Sequence, residues 1–233
     1  MAAAIINGKY VNAVPLYRLE QEFQRYGLQI TRQHMANWCI RLGEEYLSVL
    51  YDHLHEELYS CHVIQADETP VLVNHDGRKA GSKSWMWVYR SGHLYHNRQI
   101  VLYEYQQTRN ASHPREFLKG YDGICVTDGY QVCHTLEKEI QAIYREEGKL
   151  NALSSDERLK QRQAVIKPLV DAFFAYLKNR KVSRKDKFGD AVGYALNQEK
   201  YLRVFLTDGD VPIDNNASER AIRSFCIGKK IGR

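Results

Sequence analysis

The feature that most constrains the fold of this 233-residue chain is a change along its length in the spacing and type of its apolar residues. Two stretches with apolar residues at helical spacing flank four short segments that are rich in β-branched and aromatic residues. The four segments lie at 62–66, 84–89, 100–105 and 124–127. Short runs of this kind are typical of strands, whereas a spacing of three or four is typical of helices. The order predicts an α/β fold in which helices pack around one sheet.

The last two β segments indicate how the sheet is connected. The sequence Ile-Cys-Val-Thr at 124–127 is a continuous apolar run, which is typical of a central strand covered on both faces. A short helical segment at 113–118 lies before it, and parallel pairing needs such a crossover. We therefore expect a mixed sheet with flanking helices.

Residues 1–60 are expected to form a helical N-terminal region. Apolar residues return every three or four positions, Gly27 interrupts the first stripe, and Thr31 is suited to cap a second helix. This outline fits either a structural hairpin or a DNA-binding helix-turn-helix. In the second case four side chains would meet base edges: Arg32, Gln33, His34 and Asn37. We favour the structural hairpin, because such hairpins outnumber DNA readers.

A polar helical insertion is expected at about 135–205, within a second domain that spans 61–233. Its helices are predicted at 137–145, 155–178 and 187–201. Pro168 is expected to kink or divide the second of these helices. A loop at 207–215 then leads to a final helix near 217–225.

Three acidic residues stand where metal chemistry is expected. Asp67 and Asp128 each follow a predicted core strand, and ligand sites form where the strands of open sheets end. Glu219 lies at the start of the last predicted helix. Carboxylate oxygens suit Mg²⁺ or Mn²⁺, and two such ions can activate an attacking oxygen and stabilise a leaving one. The three side chains therefore predict a site for two divalent ions that act on DNA phosphodiesters.

Each of these residues also has a structural interpretation. Asp67 or Asp128 alone is better explained as an ordinary turn residue. Glu219 fits a capping box with Asn216 and an i,i+4 ion pair with Arg223. Neither interpretation of Glu219 accounts for the basic residues that crowd the next turns, whereas phosphate binding does.

Longer motifs around these residues resemble those of the insertion-sequence-66 transposases. The segments are Ile64-Gln-Ala-Asp-Glu-Thr-Pro70, Val126-Thr-Asp-Gly-Tyr130 and Ile213-Asp-Asn-Asn-Ala-Ser-Glu-Arg-Ala-Ile-Arg223, followed by Ile227-Gly-Lys-Lys230. The similarity runs through nearly the whole chain in the order of the family, and the last long motif is the most specific. The resemblance implies an RNase H-like catalytic domain of the DDE type, with Asp67, Asp128 and Glu219 as its triad. It also implies metal-dependent cutting and joining of transposon ends and target DNA by a homo-oligomer.

Two departures from the family pattern bear on activity. Members usually carry a strand and a Cys-Trp-x-His-Ala-Arg-Arg segment after the Asp-Gly-Tyr motif, whereas here Cys133-His-Thr-Leu-Glu passes directly into the next helix. Members also carry more sequence before Lys9 and after Lys230, so we expect a chain truncated at both ends. If the missing block supplies an edge strand, the triad is poorly held. The alternative function is therefore a catalytically impaired DNA-binding remnant.

Basic residues cluster twice in the last third of the chain. The predicted DNA contacts are Arg180, Lys181, Arg184 and Lys185 in one cluster and Arg220, Arg223, Lys229 and Lys230 in the other. The net charge of +5 is mild, so this local clustering rather than the total charge favours DNA as a partner. Five scattered cysteines, and no apolar stretch long enough to cross a bilayer, favour a cytoplasmic protein.

Overall fold

A four-stranded sheet forms the centre of the computed structural model, which describes residues 1–73, 77–79, 81–92, 99–127, 137–180 and 187–231. Side chains are described for the same ranges except 137–139, 187, 224 and 227–231. The strands are β1 (Val63–Leu72), β2 (Lys83–Ser91), β3 (Val101–Gln106) and β4 (Ile124–Thr127). They lie in the order β3-β2-β1-β4.

The sheet is mixed, as the sequence predicts. β1 pairs antiparallel with β2 and parallel with β4, and β2 pairs antiparallel with β3. Each strand overlaps its predicted segment, and a helix at Ser112–Phe117 lies between the last two strands. The mixed sheet with helices around it confirms the expected RNase H-like α/β class.

Helices before the sheet follow the predicted outline. They are α1 (Ala2–Ile6), α2 (Leu16–Arg25), α3 (Arg32–Leu42) and α4 (Ser48–Tyr59). Thr31 caps α3, because its side chain accepts a hydrogen bond from the His34 N–H. Ile5, Leu19 and Met35 are buried together in a small core. Met35 thus packs inward from the second helix of the hairpin.

One face of the sheet packs against α4 and α5 (Ser112–Phe117). Leu58 of α4 and Phe117 of α5 share an apolar core with Ile64 and Tyr89, and the rings of Tyr89 and Phe117 stack with centroids 3.6 Å apart. Full burial of each such side chain stabilises the fold by about 1.5–3 kcal/mol. Because side chains alternate along a strand, the odd-numbered residues of β1 point to the other face.

The helical insertion covers part of that other face. Its helices are α6 (Glu137–Gly148), α7 (Ser155–Gln161), α8 (Lys167–Asn179), α9 (Lys187–Asn197) and α10 (Glu199–Leu202). Ser154 and Glu157 form a capping box at the start of α7. A π-helical turn, Arg162–Ile166, divides α7 from α8 immediately before Pro168, as the position of the proline predicts.

β4 is covered on both faces. Ile124 and Val126 pack against the core of the insertion, together with Val63 of β1, whereas Cys125 packs on the side of α4 and α5. This alternation agrees with the apolar run from which the strand was predicted.

Two details of the predicted strands are wrong. β4 is at the edge of the described sheet rather than at its centre, because among the described residues only β1 pairs with it. Asp67 lies inside β1 rather than at its end, because pairing with β2 continues as far as Leu72 and Lys83. The parallel pairing with β4 does stop at Ala66.

A buried arginine fastens the loop before the last helix to the insertion. Arg162 is fully buried and pairs with Glu147, which is also buried. Its Nη1 donates to the carbonyl oxygens of Phe205 and Asp208, at 2.8 and 2.6 Å. A buried guanidinium is tolerated when its charge is paired and its N–H groups are bonded, and both conditions are met here.

The last helix, α11 (Asn216–Ile231), starts where the sequence predicts and runs beyond the predicted end. In the part of the chain described, no helix combines the length and the apolar character that crossing a bilayer requires. The described cysteines are free thiols: Cys39, Cys61, Cys125 and Cys226.

Candidate active site

The start of α11 is bound to β1 by a buried asparagine. Asn215 directly precedes the helix, and its Nδ2 donates to the Ala66 carbonyl oxygen at 2.8 Å. Its Oδ1 accepts from Gln65 Nε2 at 3.3 Å, and the same Gln65 amide reaches the Asp214 carbonyl at 3.3 Å. Gln65 has no exposed surface and Asn215 is 4% exposed. The hydrogen bonds therefore fix the beginning of α11 beside the residues that immediately precede Asp67.

Beyond Asn215, α11 lies across the same face of the sheet. Arg90 Nη1 of β2 donates to the Ala217 carbonyl at 3.1 Å, and Tyr103 Oη of β3 donates to the Ala221 carbonyl at 2.9 Å. Farther along, the Cys226 thiol lies 3.8 Å from the Thr69 hydroxyl of β1. Contacts from three strands thus hold the helix in one position.

Asp67 points to the face that α11 covers. Side chains on a strand share a face with those two positions away, and both Gln65 and Thr69 contact residues of α11 or its cap. Asp67 is partly buried, and its Oδ1 accepts a hydrogen bond from the Glu68 N–H at 2.8 Å.

Glu219 lies one turn after Asn215, in the part of α11 that is held on β1. Its side chain is 39% exposed, and its Oε2 is 3.4 Å from Arg223 Nη2, which confirms the predicted i,i+4 ion pair. The predicted capping box is not formed, because Asn215 rather than Asn216 stands before the helix and its carbonyl accepts from the Glu219 N–H. Asn216 instead donates to Asp214, through Nδ2, at 2.6 Å.

Asp128 lies outside the described residues. The last pair in the parallel register of β1 and β4 is Ala66 with Thr127, so in sequence Asp67 and Asp128 each follow that pair directly. Among the described residues no three His, Cys, Asp or Glu side chains are grouped closely enough to hold a metal ion. The triad of Asp67, Asp128 and Glu219 therefore stays a prediction.

The predicted DNA contacts are described in part. Arg223 is exposed and paired with Glu219. Arg180 lies over the rings of Tyr176 and Phe188, at 5.1 and 5.0 Å from the centroids. Arg220 is exposed; burial lowers the pKa of Arg90, and the positive charge of Arg220 lowers it further. The remaining predicted contacts have no described side chain: Lys181, Arg184, Lys185, Lys229 and Lys230.

Three residues that position the site were not singled out from the sequence. Gln65 had a signal, since it is a polar residue within the otherwise apolar run Val63-Ile-Gln-Ala66 before Asp67. Asn215 belongs to the last long motif, but its neighbours Asp214 and Asn216 are equally suited to a cap. Arg90 gave no sequence signal, because its role depends on which helix crosses β2.

Comparison with known proteins gives a family model that matches both parts of the chain. The model of the Transposase IS66 family matches residues 1–139 and 132–232. The two matches overlap at 132–139, which is where a family segment is expected to be missing. No solved structure matches the chain.

Curated relatives match along the same length. The uncharacterized protein y4qI of Sinorhizobium fredii (strain NBRC 101917 / NGR234) is 28% identical over 276 residues, which cover 99% of this chain and 51% of y4qI. The uncharacterized protein y4hP of the same strain is 22% identical over 283 residues, with 99% and 51% covered. The chain spans about half the length of these relatives, and both alignments are longer than its 233 residues. Since the family model accounts for the sheet, the insertion and α11, the chain belongs to the IS66 transposase family.

Proposed function

We propose that this chain provides the catalytic core of a DNA transposase, which cuts transposon ends and joins them to target DNA. Asp67, Asp128 and Glu219 are the proposed catalytic and metal-binding residues. The observation that carries the proposal is the set of hydrogen bonds from Asn215 to Gln65 and Ala66, because it brings the start of the helix bearing Glu219 onto the strand bearing Asp67.

The donor chemistry fits hard divalent cations. Asp67 and Glu219 offer carboxylate oxygens, Asp67 is partly buried, and Glu219 is accessible at the start of its helix. We propose Mg²⁺ or Mn²⁺, in a pair, as the cofactor. When bound between carboxylates, such ions activate the attacking oxygen and stabilise the leaving oxygen of a phosphodiester.

The residues around the carboxylates have positioning roles in this proposal. Asn215 and Gln65 hold the separation of β1 and α11, which matters because catalytic groups must be placed within a fraction of an ångström. Arg223 offsets the charge of Glu219 before DNA binds. The two basic clusters then neutralise phosphates along the bound strands.

Strand cleavage tests the proposed activity. Purified protein, incubated with Mn²⁺ and labelled DNA carrying the ends of its own element, is expected to nick the strand at the element boundary. Asp67→Asn, Asp128→Asn and Glu219→Gln should each remove cleavage, whereas Glu116→Gln, an exposed carboxylate on α5, should leave it unchanged. Undiminished cleavage by the three variants would refute the assignment.

A DNA-binding remnant without catalysis is the second candidate function. It is favoured by the position of β4 at the edge of the described sheet and by the two-part match to the family. Salt-sensitive DNA binding by a folded chain that never cleaves with Mn²⁺ would support this candidate over the first.

A second copy of the chain is a proposed partner in addition to DNA. The proposed location of the protein is the cytoplasm. α3, α4 and the π-helical turn between them carry exposed apolar side chains that include Trp38, Tyr46 and Leu50, which are 38%, 65% and 52% exposed. Several large apolar side chains exposed along one helical segment favour an interface. Sedimentation should show an oligomer that Tyr46→Glu dissociates; a monomeric wild type would contradict this.

A further inference from the structure

The first three helices pack together into one unit. One residue from each of them is buried in a shared apolar cluster: Ile5, Leu19 and Met35. Gly27 lies in the turn after α2 with a φ of +78°, a left-handed conformation that favours glycine. Glu20 Oε1 of α2 accepts a hydrogen bond from the Arg32 N–H at the start of α3, at 3.0 Å. The second helix of the hairpin is therefore supported by the helices before it, as in a helix-turn-helix.

The outward face of α3 carries polar side chains. Gln33, Asn37 and Arg41 follow one another at intervals of four residues and so line one face of the helix, whereas Met35 packs into the apolar cluster. All three are exposed, and so is the adjacent His34. Gln33 Nε2 donates to Asn37 Oδ1 at 2.9 Å, which orients the two amides together. The Gln33 carbonyl oxygen and the Asn37 amino group take no part in that bond, so the pair presents an acceptor and a donor to a ligand.

The charge of the N-terminal region changes sign directly after α3. Residues 1–42 contain five Lys or Arg against two Glu, whereas residues 43–60 contain five Asp or Glu and neither Lys nor Arg. The positive charge is thus confined to the three-helix unit, and the segment that contains α4 is acidic. A polyanion such as DNA is attracted to the first segment and repelled by the second.

Two arginines of α2 are available for phosphates. Arg18 and Arg25 are exposed and line the same depression on the protein surface. Within the described residues neither of them forms an ion pair, whereas Arg41 of α3 is paired with Glu45 at 3.0 Å. The two α2 side chains can therefore neutralise backbone charge without first giving up a carboxylate.

We propose that α3 enters the major groove of the duplex at a transposon end, where Gln33 and Asn37 contact base edges. The major groove admits an α-helix, and amide side chains suit the edge of adenine, which offers one donor and one acceptor. Arg18 and Arg25 bind phosphates, because the first helix of a helix-turn-helix lies across the DNA backbone. The sequence alone favours a structural hairpin here, whereas the exposed amide face and the confined positive charge favour DNA. This inference rests on the proposed function for the identity of the duplex as a transposon end.

DNA binding without divalent metal tests the proposed reading helix. Fluorescence anisotropy in EDTA compares a transposon-end duplex with a duplex of equal length and scrambled sequence. Gln33→Ala and Asn37→Ala should each weaken binding to the end duplex by about tenfold and leave binding to the scrambled duplex unchanged, because base contacts carry the sequence preference. Gln161→Ala is the matched control: it removes an exposed glutamine on α7 and should change neither affinity.

The arginines of α2 have a different expected effect. Arg18→Gln and Arg25→Gln should weaken binding to both duplexes alike, and each should lower the slope of log affinity against log salt by about 0.9. Since all four side chains are exposed, the variants should keep the melting temperature of the wild type, which distinguishes a lost contact from a lost fold.

Three results would overturn the inference. They are a wild type without preference for the end duplex, Gln33→Ala and Asn37→Ala variants that bind the end duplex as tightly as the wild type, and variants that lose affinity for both duplexes equally. If the two variants instead dissociate an oligomer in sedimentation while their DNA affinity is unchanged, the face binds protein. Because the assay contains no metal, failure of cleavage with an intact end preference would refute only the proposed activity.

Discussion

Replacement of Asn215 by alanine removes the connection between the last helix and the central strand. The substitution deletes the hydrogen bond to the Ala66 carbonyl at 2.8 Å and the bond from Gln65 Nε2 at 3.3 Å. Both partners are buried, and Gln65 also donates to the Asp214 carbonyl. The change therefore removes one hydrogen bond from each of two buried polar groups.

The expected loss of stability follows from these contacts. Each lost hydrogen bond costs about 1 kcal/mol net, so Asn215→Ala, which removes two, should cost about 2 kcal/mol. In a domain of this size that corresponds to a melting temperature lower by about 4–8 °C. Asn216→Ala is the matched control, because Asn216 is exposed and its side chain bonds only to Asp214 among the described contacts.

Urea denaturation of the two variants and the wild type measures the difference. The control should stay within about 0.5–1 kcal/mol of the wild type. If Asn215→Ala were no less stable than Asn216→Ala, the connection would not hold the helix, and the argument for a site between β1 and α11 would lose its basis.

Two further predictions concern the insertion and the loop that leads to the site. Glu147→Ala should destabilise the protein by about 3–5 kcal/mol in urea denaturation, because it leaves the buried Arg162 guanidinium without a counter-charge; a loss below 1 kcal/mol would contradict this. Burial raises the pKa of Asp208. Hydrogen bonds from the Asp210 N–H at 2.8 Å and with His62 at 2.5 Å together lower the pKa more than burial raises it. The pKa of Asp208 therefore lies below its usual value. Its stabilising contribution is therefore present above the unfolded value of about 4 and is lost as pH falls through the lower folded pKa. Urea midpoints between neutral and acid pH should show that Asp208→Asn loses less stability on acidification than the wild type.

Much of the fold could be predicted because local patterns decide it. Thr31 caps the helix that it was expected to cap, and Pro168 divides a helix at a π turn. The run at 124–127 is a strand with apolar side chains packed on both sides. In each case the deciding interactions lie within a few residues in sequence.

The remaining features depend on contacts between distant segments. Whether a strand is central or at an edge depends on its neighbours, and β4, which was predicted to be central, has β1 as its one neighbour among the described strands. Asp67 was expected at a strand end because the apolar run stops there, but pairing with β2 extends the strand to Leu72. The connection from Asn215 to β1 joins residues 149 positions apart, which no local pattern reports.

Calorimetric titration with Mn²⁺ tests the central claim most directly, namely that carboxylates from β1, from the residue after β4 and from α11 share a metal site. The wild type should bind Mn²⁺, and Asp67→Asn, Asp128→Asn and Glu219→Gln should each weaken binding by at least about tenfold, with Glu116→Gln unchanged. Equal binding by the wild type and all three site variants, or no binding by a folded wild type, would contradict the account.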